Sequence, residues 1–158
     1  MKKRAISVLM TTALAASMVA AVPALADTIT IGVYEPASGD NGAGGKQETL
    51  GIQYANSIAP KVEINGTEYD VELDIVDNES NNDKAVSAAS KLVSDGSSII
   101  LGSYGSGVSI AGSQTFADAG VPALGVTCTN PQVTLGSLLL DGSGLSNIPL
   151  IVTKYIGH

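Results

Sequence analysis

The chain has 158 residues, fifteen acidic side chains against eight basic ones, and a formal net charge of −7. That length suits one compact domain behind a leader, and the acidity works against nucleic-acid backbones and anionic membranes alike. A lone cysteine, Cys128, excludes an intramolecular disulfide; with a single histidine, His158, it leaves a zinc site short of soft ligands, and five tyrosines, one phenylalanine and no tryptophan make a poor platform for stacking bases.

The first element is a leader. Lys2, Lys3 and Arg4 precede the uncharged stretch Ala5–Val22, after which come Pro23 and the small-x-small triplet Ala24-Leu25-Ala26. This pattern predicts a signal peptide over residues 1–26, cleaved after Ala26. Read as a membrane anchor the stretch is marginal, being 18 residues long and rich in Ala, Ser and Thr. No cysteine stands at the site to carry a lipid. The mature chain is expected to be exported, free in the periplasm or cell-envelope space and not inserted in a membrane. The leader takes three basic residues and no acidic one, so the remainder is more acidic still.

From Thr28 to Tyr34 the pattern alternates and then becomes continuously apolar, which predicts a strand entering a core. A Gly-rich loop is expected over Pro36–Gly45. Leu50, Tyr54 and Ile58 recur every four residues and mark one face of a helix that Pro60 ends. Val62–Ile64 and Tyr69–Asp77 flank Asn65-Gly66, a tight-turn signal, and in the longer run Val71, Leu73 and Ile75 face one way. The polar turn Asn78–Asp83 supplies capping side chains for a second helix, whose apolar stripe is Ala85, Val86, Ala89, Leu92 and Val93, with Gly96 just past its end. Ile99–Leu101 reads as a short buried strand and Ser103–Gly107 as a small-residue loop. Val108, Gly112, Thr115, Phe116 and Ala119 suit a third helix stopped by Gly120, and Ala123–Val126 a last strand.

Strands alternating with helices predict an α/β lobe: an open parallel sheet of four strands in the order 2-1-3-4, with three main helices covering both faces. Ligands of such sheets bind beyond the carboxyl ends of the strands. That region is built by Pro36–Gly45, Ser103–Gly107 and Thr127–Pro131, all rich in Gly, Ser, Thr and Asn and uncharged apart from Asp40. This composition hydrogen-bonds a small polar solute. Enzymatic readings fare poorly. The run from Gly39 to Gly45 does not fit a dinucleotide fingerprint, and Gly45-Lys46 is followed by Gln47 in place of Ser or Thr. Gly107-Val108-Ser109-Ile110-Ala111 misses a nucleophile elbow by one residue and lacks a suitably placed histidine. No cofactor or metal is expected.

The opening ITIGVYEPASGDNGAGG, the stretch INGTEYDVELDIVDNESNNDKAVSAASKLVSDG, the loop GSYGSGVS and the segment TCTNPQVT follow one another in an order and spacing that resemble the leucine/isoleucine/valine-binding proteins. These are exported receptors of branched-chain amino-acid ABC importers. The resemblance runs from about Ile29 to Thr134, and residues 27–134 are read as the N-terminal lobe of such a receptor. It implies a small amino acid as ligand and an ABC permease as partner. It also places Ser106 and Thr129 on the hydroxyl residues that meet the ligand's α-carboxylate and α-ammonium, and Thr127 on a position that uses its main chain. Ser106 and Thr129 can also be read as ordinary helix caps. Gly44 falls where the family often carries an aromatic side chain, so a branched-chain preference does not carry over. The last stretch, residues 135–158, resembles neither the family's continuation nor a hinge and is read as an altered, frameshifted or truncated C-terminus. A ligand-sensing domain of the same fold and a non-functional remnant stay open as alternatives.

Overall fold

The computed structural model describes residues 27–134, so the signal peptide and the atypical tail lie outside the described residues. The elements are β1 (Thr28–Glu35), α1 (Gly42–Ile58), β2 (Lys61–Ile64), β3 (Thr67–Asp77), α2 (Asn82–Ser94), β4 (Ile99–Leu101), α3 (Ser106–Asp118) and β5 (Ala123–Leu124). They form one sheet in the order β2-β3-β1-β4-β5. β1 runs parallel to both β3 and β4, and β4 parallel to β5. The four parallel strands therefore stand in the expected order. A fifth strand joins them: β2 pairs antiparallel with β3 across Asn65-Gly66, whose φ angles of 51° and 82° suit a tight hairpin turn. Lys61 on this edge strand reaches Glu68 at 2.6 Å and Asp70 at 3.7 Å, and such a charged edge discourages pairing with another sheet.

The two faces are covered unequally. On one, Tyr34, Ile100 and Ala123 from the strands pack with Ala85, Ala89 and Leu92 of α2 and Val108 and Phe116 of α3. Tyr34 fastens this layer. Its ring meets Phe116 edge-on at 5.4 Å, and its hydroxyl donates between the carbonyls of Ala85 at 3.0 Å and Val108 at 3.2 Å. Gly112 leaves room for that hydroxyl, since a β-carbon there would stand 2.6 Å from it. On the opposite face α1 is the one helix among the described residues. Between its Gly51, Ile52 and Ala55 and the sheet residues Ile31, Val71, Leu73 and Leu101 lies an open groove of about 540 Å³.

Three expectations change. The glycine-rich stretch is loop only as far as Asn41, because α1 begins at Gly42. Gly42 and Gly45 let its first turn lie against the preceding chain; a β-carbon on Gly45 would meet the Pro36 carbonyl oxygen at 2.2 Å. The repeat of Leu50, Tyr54 and Ile58 does mark one face of α1, but it is the outer face, with each residue more than half exposed. The last strand stops at Leu124, and Val126 is exposed. The capping expectation for α2 holds: the Asn81 side chain accepts the Asp83 amide at 2.7 Å. Among the described residues no helix is long and apolar enough to cross a membrane.

Candidate functional site

The carboxyl ends of β1, β4 and β5 open onto one mouth, and its centre is the short loop between β4 and α3. Small polar side chains hold that loop from beneath. Asn78, fully buried, donates to the Tyr34 carbonyl and to Ser103 Oγ, both at 3.0 Å. Ser103 Oγ accepts the Gly105 amide at 3.3 Å, while Ser109 Oγ accepts the Ser103 amide at 3.1 Å. The Cys128 thiol donates to the Ser103 carbonyl at 2.9 Å and touches Ser109 Oγ. Burial pushes this thiol up from its ordinary range, against the lowering effect of those hydrogen bonds, and favours its neutral form. A loop satisfied in this way is rigid, and it holds the start of α3 in a fixed direction.

Ser106 is the first residue of α3. Its Oγ accepts the main-chain amides of Thr129 and Asn130, each at 3.2 Å. It does not cap α3, whose N-cap is Gly105 and which has no side-chain cap. Ser106 thus stands at a helix N-terminus, where unpaired amides favour negative charge, and its hydroxyl keeps a donor besides the two bonds it accepts. Ser106 and Thr129, 23 residues apart, meet at one point. Thr127 lies beside them, exposed, with its hydroxyl 3.4 Å from the Tyr104 carbonyl. Gly44 completes the group from the first turn of α1, where a β-carbon would come within 2.4 Å of the Tyr104 ring. All four sequence-derived positions therefore share one mouth.

Two features of this mouth escape a reading of the sequence. Tyr104 lies in the loop GSYGSGVS, but no role for it is legible there. Its ring, 40% exposed, covers the space that Gly44 leaves empty, so the mouth has an aromatic wall delivered from a different element. The second is a pair of carboxyl groups. Glu35 ends β1 and is 1% exposed, and Glu48 of α1 lies close enough for its charge to act on it. Glu35 Oε2 accepts the Tyr104 amide at 2.7 Å. Burial, then the charge and hydrogen bond of Glu48, push the Glu35 carboxyl up to about 9 against the opposing effect of that amide. A glutamate closing an apolar strand is a visible signal, but its partner on the next helix is not.

Asp77, at the end of β3, organises the loop after β1. It accepts the Ala37 amide at 2.7 Å, the Ser38 hydroxyl at 2.7 Å and the Glu79 amide at 2.8 Å. Burial opposes its charge, but the Ser38 hydroxyl and these amides outweigh it and hold the carboxylate below its ordinary range.

The family model described as "periplasmic binding protein" matches residues 28–140. A Leu/Ile/Val-binding protein homologue of Brucella abortus is 32% identical over 123 residues, 77% of this chain and 32% of the relative. The Leu/Ile/Val-binding protein BraC3 of Rhizobium johnstonii is 38% identical over 126 residues, 79% of this chain and 34% of the relative. Among solved structures, the branched-chain amino-acid transporter substrate-binding protein LivJ of Streptococcus pneumoniae, in complex with isoleucine, superimposes with a TM-score of 0.61 at 30% identity, over 70% of this chain and 32% of that one. The chain thus spans about a third of the length of the relatives it matches. The matched stretch contains every strand and loop of the mouth, and the chain belongs to the periplasmic binding-protein family.

Proposed function

We propose that residues 27–134 are the N-terminal lobe of an exported receptor that captures a small amino acid for an ABC-type importer. The observation that carries this reading is the meeting of Ser106 with Thr129 at the N-terminus of α3. A hydroxyl there donates to a carboxylate in a favourable field, and a threonine hydroxyl beside it accepts from an ammonium. Thr127 lines the same mouth. The Tyr104 ring over Gly44 is the surface available to the ligand's side chain. With Tyr104 in place of a larger residue on α1, the pocket wall differs from that expected of a branched-chain receptor, and the reading commits to a small amino acid and to no single one. The leader sends the chain out of the cytoplasm. The partner is the importer's permease, reached by the complete two-lobed receptor.

The test is calorimetric titration with leucine, isoleucine, valine and alanine. In a two-lobed receptor carrying this lobe, Ser106→Ala and Thr129→Ala should each weaken binding by about 1.5–3 kcal/mol, roughly ten- to a hundred-fold; Thr129→Ala should leave thermal stability unchanged, whereas Ser106→Ala also loses the bonds from the Thr129 and Asn130 amides and should lower it slightly. Unchanged affinity in both variants would remove these residues from the site. The 158-residue chain alone should bind far more weakly, because a single lobe neither excludes water nor surrounds the ligand's ammonium; micromolar binding by it would overturn that account.

A further inference from the structure

The carboxyl pair beneath the mouth has no role in the binding reading, yet its surroundings are unusual. Glu35 Oε1 and both carboxyl oxygens of Glu48 are buried without a hydrogen-bond partner. Two ionised carboxylates in such a place repel with little solvent to screen them, whereas one proton between them supplies a donor to an array that otherwise holds only acceptors. The neighbours do not offer another solution. From α1, Lys46 borders a surface cavity that Glu35 also touches, but no lysine is among the charges acting on Glu35. From β3, Asp77 pairs with Glu35 in the register but commits its oxygens to Ser38 and to loop amides. From the segment after β5 comes the neutral Cys128 thiol, and from the loop after β4 the Tyr104 amide. On the far side, Gly102 leaves no room for a larger guest: a β-carbon there would lie 2.5 Å from Glu35 Oε1.

We propose that Glu35 and Glu48 share one proton and act as a pH-sensitive latch, holding α1 against the loop that carries Tyr104 and Ser106 and releasing it when that proton is lost at alkaline pH. The link to the mouth is direct, because Glu35 Oε2 grips the Tyr104 amide and Tyr104 precedes Ser106 by two residues. A second charge on the pair drives Glu48 and its helix away from this loop, and with them Gly44, on which the Tyr104 ring rests. The carboxyl binds its proton more tightly in the folded chain than in the unfolded one. Its contribution to stability is therefore fully present below the ordinary carboxylate range and is lost as pH rises toward about 9.

The consequence for solute capture rests on the proposed function, but the measurement does not. The full chain, labelled with carbon-13 and nitrogen-15, is titrated by NMR from about pH 3 to about pH 10.5, spanning the ordinary carboxylate range and the alkaline one. The Glu35 carboxyl carbon should titrate in the alkaline range, and the Tyr104 amide should shift with the same midpoint. Glu48→Gln should lower that midpoint by about one pH unit or more, since it keeps a hydrogen-bonding group and removes the charge. Glu35→Gln should abolish the alkaline shift of the Tyr104 amide. A Glu35 carboxyl that titrates in the ordinary range, or a midpoint indifferent to Glu48→Gln, would overturn the latch. Where a variant does not fold, the carboxyl carbon of the unmodified chain decides alone. Loss of ligand binding with an intact alkaline titration would count against the binding reading and leave the latch standing.

Discussion

Two adjacent glycines of α1 have opposite jobs. Gly45 sits against backbone: a β-carbon there would meet the Pro36 carbonyl at 2.2 Å and the Pro36 ring at 2.5 Å. Gly44 sits against the end of a side chain, the half-exposed Tyr104 ring, which can swing aside. Gly45→Ala is therefore expected to cost about 1–3 kcal/mol by overpacking. Gly44→Ala should be close to neutral, because the helix gains up to about 1 kcal/mol from losing a glycine while the ring is displaced. Urea denaturation of both variants, with tyrosine fluorescence reporting the ring, separates the two. Equal destabilisation would contradict the contact assignment. A related test concerns Asp77, whose carboxylate gathers three amides and a hydroxyl of neighbouring loops. Its folded-state pKa is depressed, so the stability it adds is present above the ordinary carboxylate range and is lost as pH falls through the folded value. Asp77→Asn should destabilise the lobe by about 1–2 kcal/mol at neutral pH, and the difference from the parent should shrink in acid. A gap that persists unchanged at low pH would mean that shape, not charge, is what Asp77 supplies.

The elements divide by how well local pattern foretold their surroundings. The predicted stripe of α2 found most of the buried side, since Ala85, Ala89 and Leu92 are all fully buried, but it also included Val86, which is 49% exposed. Leu92→Ala should cost about 2–5 kcal/mol, since a cavity beneath two helices and the sheet closes only in part. Asn81→Ala at the N-cap should cost about 1 kcal/mol. Thermal or chemical denaturation checks both, and a Leu92→Ala loss smaller than that of Asn81→Ala would place the core elsewhere. In α1 the same kind of pattern misled. Its recurring Leu50, Tyr54 and Ile58 are large and apolar, yet they point outward, and Gly51, Ile52 and Ala55 face the sheet across the groove. Which stripe turns inward is decided by the space the sheet offers, and a helix period reports only that a stripe exists. The same limit explains α1's early start. Glycines at Gly42 and Gly45 read as a loop from propensity, whereas packing against Pro36 and Ala37 makes them the one residue type that fits.

At the scale of the molecule, among the described residues one face of the sheet carries two helices and the other carries one, with the groove beside α1 lined by Ile31, Val71, Leu73 and Leu101. The chain spans about a third of the length of the relatives it matches and carries a formal net charge of −7. The leader reading makes its own prediction. Secreted protein should begin at Asp27, and N-terminal sequencing or intact-mass measurement checks it. Recovery of the chain with Met1 in a membrane fraction would favour an anchor.

The alternation of strand and helix patterns, the Asn65-Gly66 turn, the Asn81 cap and the small polar loops were determined by sequence alone. Each is a short-range preference, written in consecutive residues and satisfied locally by dihedral angles and hydrogen bonds. From those loops and a family resemblance, Ser106, Thr127, Thr129 and Gly44 could be named together. Only the tertiary structure decided what each one touches. The bond from the Thr129 amide to Ser106, the Tyr104 ring across Gly44 and the Glu35–Glu48 pair all join residues that are distant in sequence or lie on different elements. Such contacts depend on sheet order and on the depth at which a helix settles. Those are set by the packing of the whole lobe, and no local period encodes them.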